Sequence, residues 1–139
     1  MILLDTNIVS EVMRQRPEPL VVAWLNRQQS RHLFLSAITI AEIEYGLQIM
    51  PMGQRRARMT HQFTQFITHG FQQRILTFDQ AAAQTYGKLI AHRRALGRPM
   101  TMADGQIAAI AATHRFSLAT RNEKDFLDCD LTLINPFVH

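Results

Sequence analysis

Cysteine is nearly missing from this chain, lysine is scarce, and no long apolar run occurs. Cys129 is the single cysteine among 139 residues. One thiol builds neither a disulfide framework nor a thiolate metal cluster, so the expected setting is a reducing one, the cytoplasm. No apolar stretch approaches the ~20 residues of a membrane-crossing helix, so no membrane association is expected. The opening Met1-Ile2-Leu3-Leu4-Asp5 meets an acid at once and has no basic leader, unlike a signal peptide. Hydrophobic residues are 47% of the chain and charged ones 19%, which excludes a disordered tail. The length fits one domain over 1–139. Only Lys88 and Lys124 are lysines among fifteen bases, and the net charge is +4. Arginine grips phosphate with a planar fork, so this bias points to a polyanionic partner; a GC-rich genome would produce the same bias.

What is present is an alternation of short apolar runs and amphipathic stretches. Ile2-Leu3-Leu4 reads as a buried strand, and Asp5-Thr6-Asn7 supplies capping side chains for a helix carrying Ile8, Val9, Val12 and Met13. Pro17 and Pro19 end that helix and open the next, Leu20 to Gln29. Leu33-Phe34-Leu35 is a second strand, closed by Ser36 as N-cap of an almost wholly apolar helix from Ala37 to Ile49. A basic-headed helix runs from Gln54 to His69. Ile75 to Phe78 is a third strand, and Asp79 caps a helix to Ala95 or Leu96. Thr101 opens a helix from Met102 to Thr113, followed by a strand at Phe116–Thr120, a helical turn at Asn122–Phe126 and a strand at Leu131–Ile134. Such alternation predicts an α/β fold around a mostly parallel sheet, with ligands bound beyond the carboxyl ends of its strands.

The eleven acids are then informative. Asp5 follows the first strand. Glu42 sits in the most apolar helix, with Ile38, Tyr45 and Ile49 on its expected face, while Glu44 points to solvent. Asp104 is in the first turn of its helix, and Asn122 and Asp125 follow the fourth strand. Each has a structural alternative. Asp5 serves equally as an N-cap, Thr101 to Asp104 as a capping box, Asp125 as a surface residue, and a buried Glu42 as the partner of an arginine. Carboxylates sharing one cleft repel each other unless a hard cation joins them, and oxygen-only ligands indicate Mg2+ or Mn2+. The six histidines are scattered without metal-ligand spacing.

Four blocks carry a resemblance. Leu3-Leu4-Asp5-Thr6-Asn7, then Leu35-Ser36 to Ala41-Glu42 and Gly46, then Met102-Ala103-Asp104-Gly105-Gln106-Ile107-Ala108, then Leu118-Ala119-Thr120-Arg121-Asn122 with Asp125-Phe126, resemble the PIN domain. They are similar above all to the VapC toxins of bacterial type II toxin–antitoxin modules, including the FitB-like branch. The resemblance spans essentially the whole chain. It implies a single PIN domain with a three-layer α/β/α fold, and a Mg2+- or Mn2+-dependent endoribonuclease acting on structured RNA such as tRNA or rRNA. It also implies a homodimer and a cognate VapB-type antitoxin whose C-terminal segment blocks the site.

By position, Asp5 and Asp104 resemble the main metal ligands and Glu42 the third acid. Thr6 and Thr120 resemble hydroxyls that hold the site, and Asn7 a residue that orients the first carboxylate. Many relatives carry Asp where this chain has Asn122, and others an acid where it has Asp125. The resemblance therefore implies a one-metal site assisted by Asn122 or Asp125. Glu42 or Asp125 would orient the attacking water. Arg121, beside the site, and Arg55, Arg56, Arg58, Arg93 and Arg94 are candidates for RNA contact. Trp24 and Phe66 are candidates for dimer or antitoxin contact, or simply for core packing. Two rival readings remain: a non-catalytic PIN-like RNA-binding module, suggested by Asn122, and a phosphotransfer enzyme with Asp5 as nucleophile. The second lacks a paired acid beside Asp5 and has few lysines to draw on.

Overall fold

The computed structural model describes residues 1–138. Five parallel strands are ordered β3-β2-β1-β4-β5. They are β1 (Ile2–Leu4), β2 (Leu33–Ser36), β3 (Ile75–Leu76), β4 (Ser117–Ala119) and β5 (Leu133–Ile134). Between β1 and β2 lie α1 (Thr6–Val12) and α2 (Pro19–Arg27). Between β2 and β3 lie α3 (Ala37–Ile49) and α4 (Gln54–Gln65), and between β3 and β4 lie α5 (Gln80–Ala95) and α6 (Met102–His114). Successive side chains of a strand face opposite ways, and the two cores follow from that. Leu4, Leu35 and Ala119 join Ile8, Val21, Trp24, Leu47 and Phe63 on one face. Leu3 and Leu118 join Leu89, Ile107, Ala108 and Phe126 on the other. The sheet is thus sandwiched between α1–α4 and α5–α6, the expected α/β/α layering.

The sequence boundaries shift for local reasons. Pro19 itself occupies the first turn of α2, where its missing N–H is not needed. Strand β3 stops at Leu76, two residues short of Phe78, because its partner Ser36 already caps α3 and Thr77 has nothing to pair with. Strand β5 starts at Leu133, opposite Leu118. The helix expected to reach His69 ends at Gln65 and continues as a π turn, Phe66–Gly70. Trp24 is 6% exposed and belongs to the core.

The chain reverses direction across the sheet at β1, moving first to β2 and later to β4. Such a switch point opens a crevice at the strand carboxyl ends. Asp5, Ser36 and Thr120 stand at the ends of β1, β2 and β4 and are therefore neighbours.

Helix α6 approaches α5 at Gly105. A Cβ there would lie 2.7 Å from Ile90 Cδ1 and 2.8 Å from Tyr86 Cε2. The Tyr86 ring cannot swing freely because it abuts Phe78 edge-on at 5.8 Å. Gly105→Ala gains about 1 kcal/mol of helix propensity but overpacks the contact by about 1–3 kcal/mol. A net loss is expected, read as a thermal midpoint lowered by several degrees. A variant melting at or above the parent would show that the α5–α6 contact relaxes without strain.

Candidate active site

A cavity of about 520 Å³ opens over the ends of β1 and β4 and is lined by Asp5, Glu42, Asp104, Arg121 and Asn122, among others. Asp5 lies at its base and is 4% exposed. Its Oδ1 accepts the Thr6 N–H at 2.8 Å, so it is the N-cap of α1 as one sequence alternative held. Its Oδ2 accepts the Thr120 hydroxyl at 2.8 Å and the Asn7 side-chain amide at 3.2 Å. Capping uses one oxygen and leaves the carboxylate in the cavity wall, so the two readings of Asp5 are compatible. Thr120 also accepts from the Asn122 N–H at 3.1 Å, and the Asn7 carbonyl oxygen accepts the Arg121 N–H at 3.2 Å. Asn7 and Thr120 thereby tie the end of β1 to the loop after β4.

Burial pushes the Asp5 carboxyl up to about 6 from 3.8; its hydrogen bonds oppose the shift, and the charges of Asp104 and Glu42 add to it. Asp104 is raised too, first by burial and then by Asp125 and Glu42, with the Thr101 hydroxyl and Arg93 pulling the other way. Its N–H donates to Thr101 Oγ1 at 3.2 Å, which is half of the expected capping box.

Glu42 corrects the sequence reading. It was expected among buried apolar neighbours, yet it is exposed, as are Ala41 and Glu44, with Tyr45 at 67% and Ile49 at 64%. Only the Thr39, Ile43 and Leu47 face of α3 is buried, so apolar composition did not mean burial all round. No arginine forms a salt bridge with Glu42 among the described residues. Its Oε1 instead accepts the Thr6 hydroxyl at 2.7 Å. That commits the single Thr6 proton, so Thr39 is the donor in the 3.0 Å contact between the two hydroxyls. Ser36 in turn donates to Thr39 at 3.4 Å. Three hydroxyls in series point their protons at Glu42.

Asn122 reaches the cavity. Asp125 does not line it, although its charge is felt at Asp104. Arg121 lines the rim with its guanidinium over the Phe137 ring at 4.6 Å. The remaining arginines separate. Arg55 and Arg58 line an adjacent cavity. Arg56 turns away to Gln48 Oε1 at 2.7 Å and closes the α3–α4 turn. Arg93 is 4% exposed and donates to the carbonyls of Arg98 and Leu127, so it is structural and not a surface contact. Arg94 is exposed at the end of α5 and touches neither cavity.

A PIN-domain family model matches residues 2–130. This chain belongs to the PIN-domain family. Within it, the chain is 39% identical over 137 residues to the VapC ribonuclease Y4jK of Sinorhizobium fredii, covering 99% of this chain and 98% of that one. It is 37% identical over 137 residues to the toxin FitB of Neisseria gonorrhoeae, covering 99% of each. The crystal structure of FitAcB from Neisseria gonorrhoeae superposes with a TM-score of 0.94 at 37% identity, over 100% of both chains. These relatives place it in the VapC–FitB branch of the PIN family.

The donor set of this PIN site is oxygen only: carboxylates, hydroxyls and amide carbonyls, which suits a hard divalent cation. Among the described residues no three acids, histidines or cysteines stand at closed ligand spacing. Unneutralised carboxylates repel, and Mg2+ needs only one or two of them beside its waters. Asp5 and Asp104, both raised by burial and by neighbouring charge, fit that role.

Several residues of the site escaped the sequence reading. Thr39 is fully buried and supports Thr6; the Ser36-x-x-Thr39 spacing, with the Thr39 N–H bonded to Ser36 Oγ at 3.1 Å, was its available signal. Glu11, 5% exposed on α1, and Arg14 also line the cavity. Glu11 lies four residues, one helical turn, past Asn7, and that i,i+4 spacing on α1 was the available signal.

Proposed function

We propose that this chain is the toxin of a type II toxin–antitoxin module, a single PIN domain acting in the cytoplasm as a Mg2+-dependent endoribonuclease on structured RNA such as tRNA or rRNA. Mn2+ would serve in place of Mg2+. The observation that carries the reading is the meeting of Asp5, Glu42 and Asp104, from three distant stretches of chain, on one cavity. No arginine is in salt-bridge range of any of the three among the described residues. A ribonuclease and a toxin among relatives of matching length support it.

Asp5 and Asp104 would hold the cation, which supplies charge to the scissile phosphate and acidifies an attacking water. Glu42, half held by the Thr6 hydroxyl, keeps one oxygen free to orient that water and take its proton. Asn122 donates to substrate or water without adding charge. Asn7 and Thr120 fix the Asp5 carboxylate.

Two protein partners complete the proposal. The exposed stripe of Tyr45, Ile49 and Met52 would pack against a second copy of the chain. An apolar groove of about 520 Å³ among Val12, Val22, Leu25, Phe66 and Phe71 would seat a helix of a cognate VapB-type antitoxin. Among the described residues no helix is long and apolar enough to cross a membrane.

The test is cleavage by purified chain of a tRNA and an rRNA fragment. Cutting is expected with Mg2+ or Mn2+, none with EDTA, and none by the Asp5→Asn/Asp104→Asn double variant. Equal cutting by that variant would sink the nuclease reading. Binding of RNA without any cutting by the parent would favour the non-catalytic alternative.

A further inference from the structure

A second cavity, of about 470 Å³, adjoins the acidic one, and four of its lining residues are arginines. Arg14 and Arg16 line it from the segment after α1, and Arg55 and Arg58 from the first turns of α4, with Met13 and Met59 as its apolar lining. Arg14 lines both cavities.

Three features separate this cluster from an ordinary solvated face. No acid lines it, and Arg16, Arg55 and Arg58 have no ion-pair partner among the described residues. The first turn of α4 carries no acid, and its N-cap, Gly53, offers no side-chain bond. A helix N-terminus is the positive end of the dipole and favours anions, so loading it with Arg55 and Arg58 works against α4 unless an anion is bound. Finally, Arg14 is oriented although exposed: Glu11, itself buried, accepts from its Nη1 with both oxygens, at 3.2 and 3.3 Å. The same Glu11 carboxylate accepts the Glu18 N–H at 2.9 Å and so closes the loop that carries Arg16.

We infer that Arg14, Arg16, Arg55 and Arg58 form a phosphate-binding subsite that holds the backbone of the RNA strand to one side of the bond being cut. Arg14 forms the shared wall, so a strand leaving the acidic cavity passes directly into the basic one. The inference rests on the nuclease reading for its substrate, but its test does not depend on cleavage.

The probe is a fluorescent 12-nucleotide single-stranded RNA, titrated with the full chain in EDTA across a range of salt. Arg55→Ala/Arg58→Ala is expected to bind at least tenfold more weakly. Its log–log salt slope should be shallower by about 1.4, at roughly 0.7 per lost phosphate contact. Arg55→Gln/Arg58→Gln, which keeps the side-chain length, should behave likewise. Arg27→Ala/Arg31→Ala removes the same charge from exposed positions outside both cavities and should keep the parent slope. With Mg2+, the Arg55/Arg58 variants should cut the 12-mer poorly and a dinucleotide, which has no flanking phosphate, as the parent does.

Equal slopes for the Arg55/Arg58 and Arg27/Arg31 variants would overturn the subsite even if the parent cuts RNA. The expected difference in slope together with a parent that never cuts would leave the subsite standing and remove the nuclease reading. Unchanged RNA binding with lost binding of a co-purified antitoxin would make the cavity a protein interface and overturn the inference.

Discussion

Asp5→Asn is expected to remove RNA cleavage and, at the same time, to make the isolated protein more stable. Cleavage should fall by about a thousandfold or more, since a cation at the scissile phosphate contributes several kcal/mol. The stability gain follows from linkage. The Asp5 carboxyl titrates near 6 in the folded chain against 3.8 as its ordinary value, so the folded state prefers the protonated form. Between those two values the folded chain binds more protons than the unfolded one, and stability falls as pH rises. Above pH 6 the full penalty is present. At pH 4 and below it is absent. Asparagine carries no charge at any of these pH values, but it offers Asn7 and Thr120 a poorer partner than a carboxylate does. The net gain at pH 7.5 without divalent ions is therefore roughly 1–3 kcal/mol, read by denaturant or thermal unfolding. The gain should shrink steadily from pH 6 to pH 4. A variant less stable than the parent at pH 7.5 would mean that Asp5 contributes more as cap and hydrogen-bond acceptor than it costs as a buried charge.

Mg2+ is expected to reverse the same penalty in the parent. At a hundredfold excess over its dissociation constant, a ligand of the folded state adds about 2.7 kcal/mol, which for a chain of this size raises the thermal midpoint by roughly 10 °C. Neither Asp5→Asn nor Asp104→Asn should show that rise. Ca2+ should also stabilise the fold, because its oxygen preference is similar, so the shift reports binding and not catalysis. An equal shift in Asp5→Asn/Asp104→Asn would place the cation elsewhere on the surface. The two measurements check each other: the variant that no longer needs the cation should resemble the cation-loaded parent in stability and differ from it wholly in activity.

Much of this was readable before any coordinates. The apolar runs at Ile2–Leu4 and Leu33–Leu35 are buried on both faces of a parallel sheet, and such strands announce themselves as uninterrupted hydrophobic stretches. Caps at Ser36, Asp79 and Thr101 were legible because each side chain meets a local backbone N–H. The end of β3 was not, because it depends on where the neighbouring strand stops. Glu42 shows the same limit. Composition made the Glu42 face of α3 look buried, yet a helix packed on one face of a sheet leaves its far face open, and only tertiary position decides which residues lie there. Arg93 and Arg56 were lost among the other arginines for a related reason. Carbonyl groups at Arg98, Leu127 and Met50 that bind them lie in loops, and loop carbonyls leave no trace in residue type.

The distance along the chain between the partners of the site has a consequence for synthesis. The Thr120 hydroxyl meets Asp5 across 115 positions, and β1 is the middle strand, flanked on one side by β4. A nascent polypeptide still held by its ribosome therefore has its first acid exposed early but lacks the strand and hydroxyl that seat it. Such a chain would lack an assembled Asp5 site until β4 has emerged. On the nuclease reading, a translation product interrupted before β4 would lack the Thr120 hydroxyl and with it a seated Asp5 carboxylate.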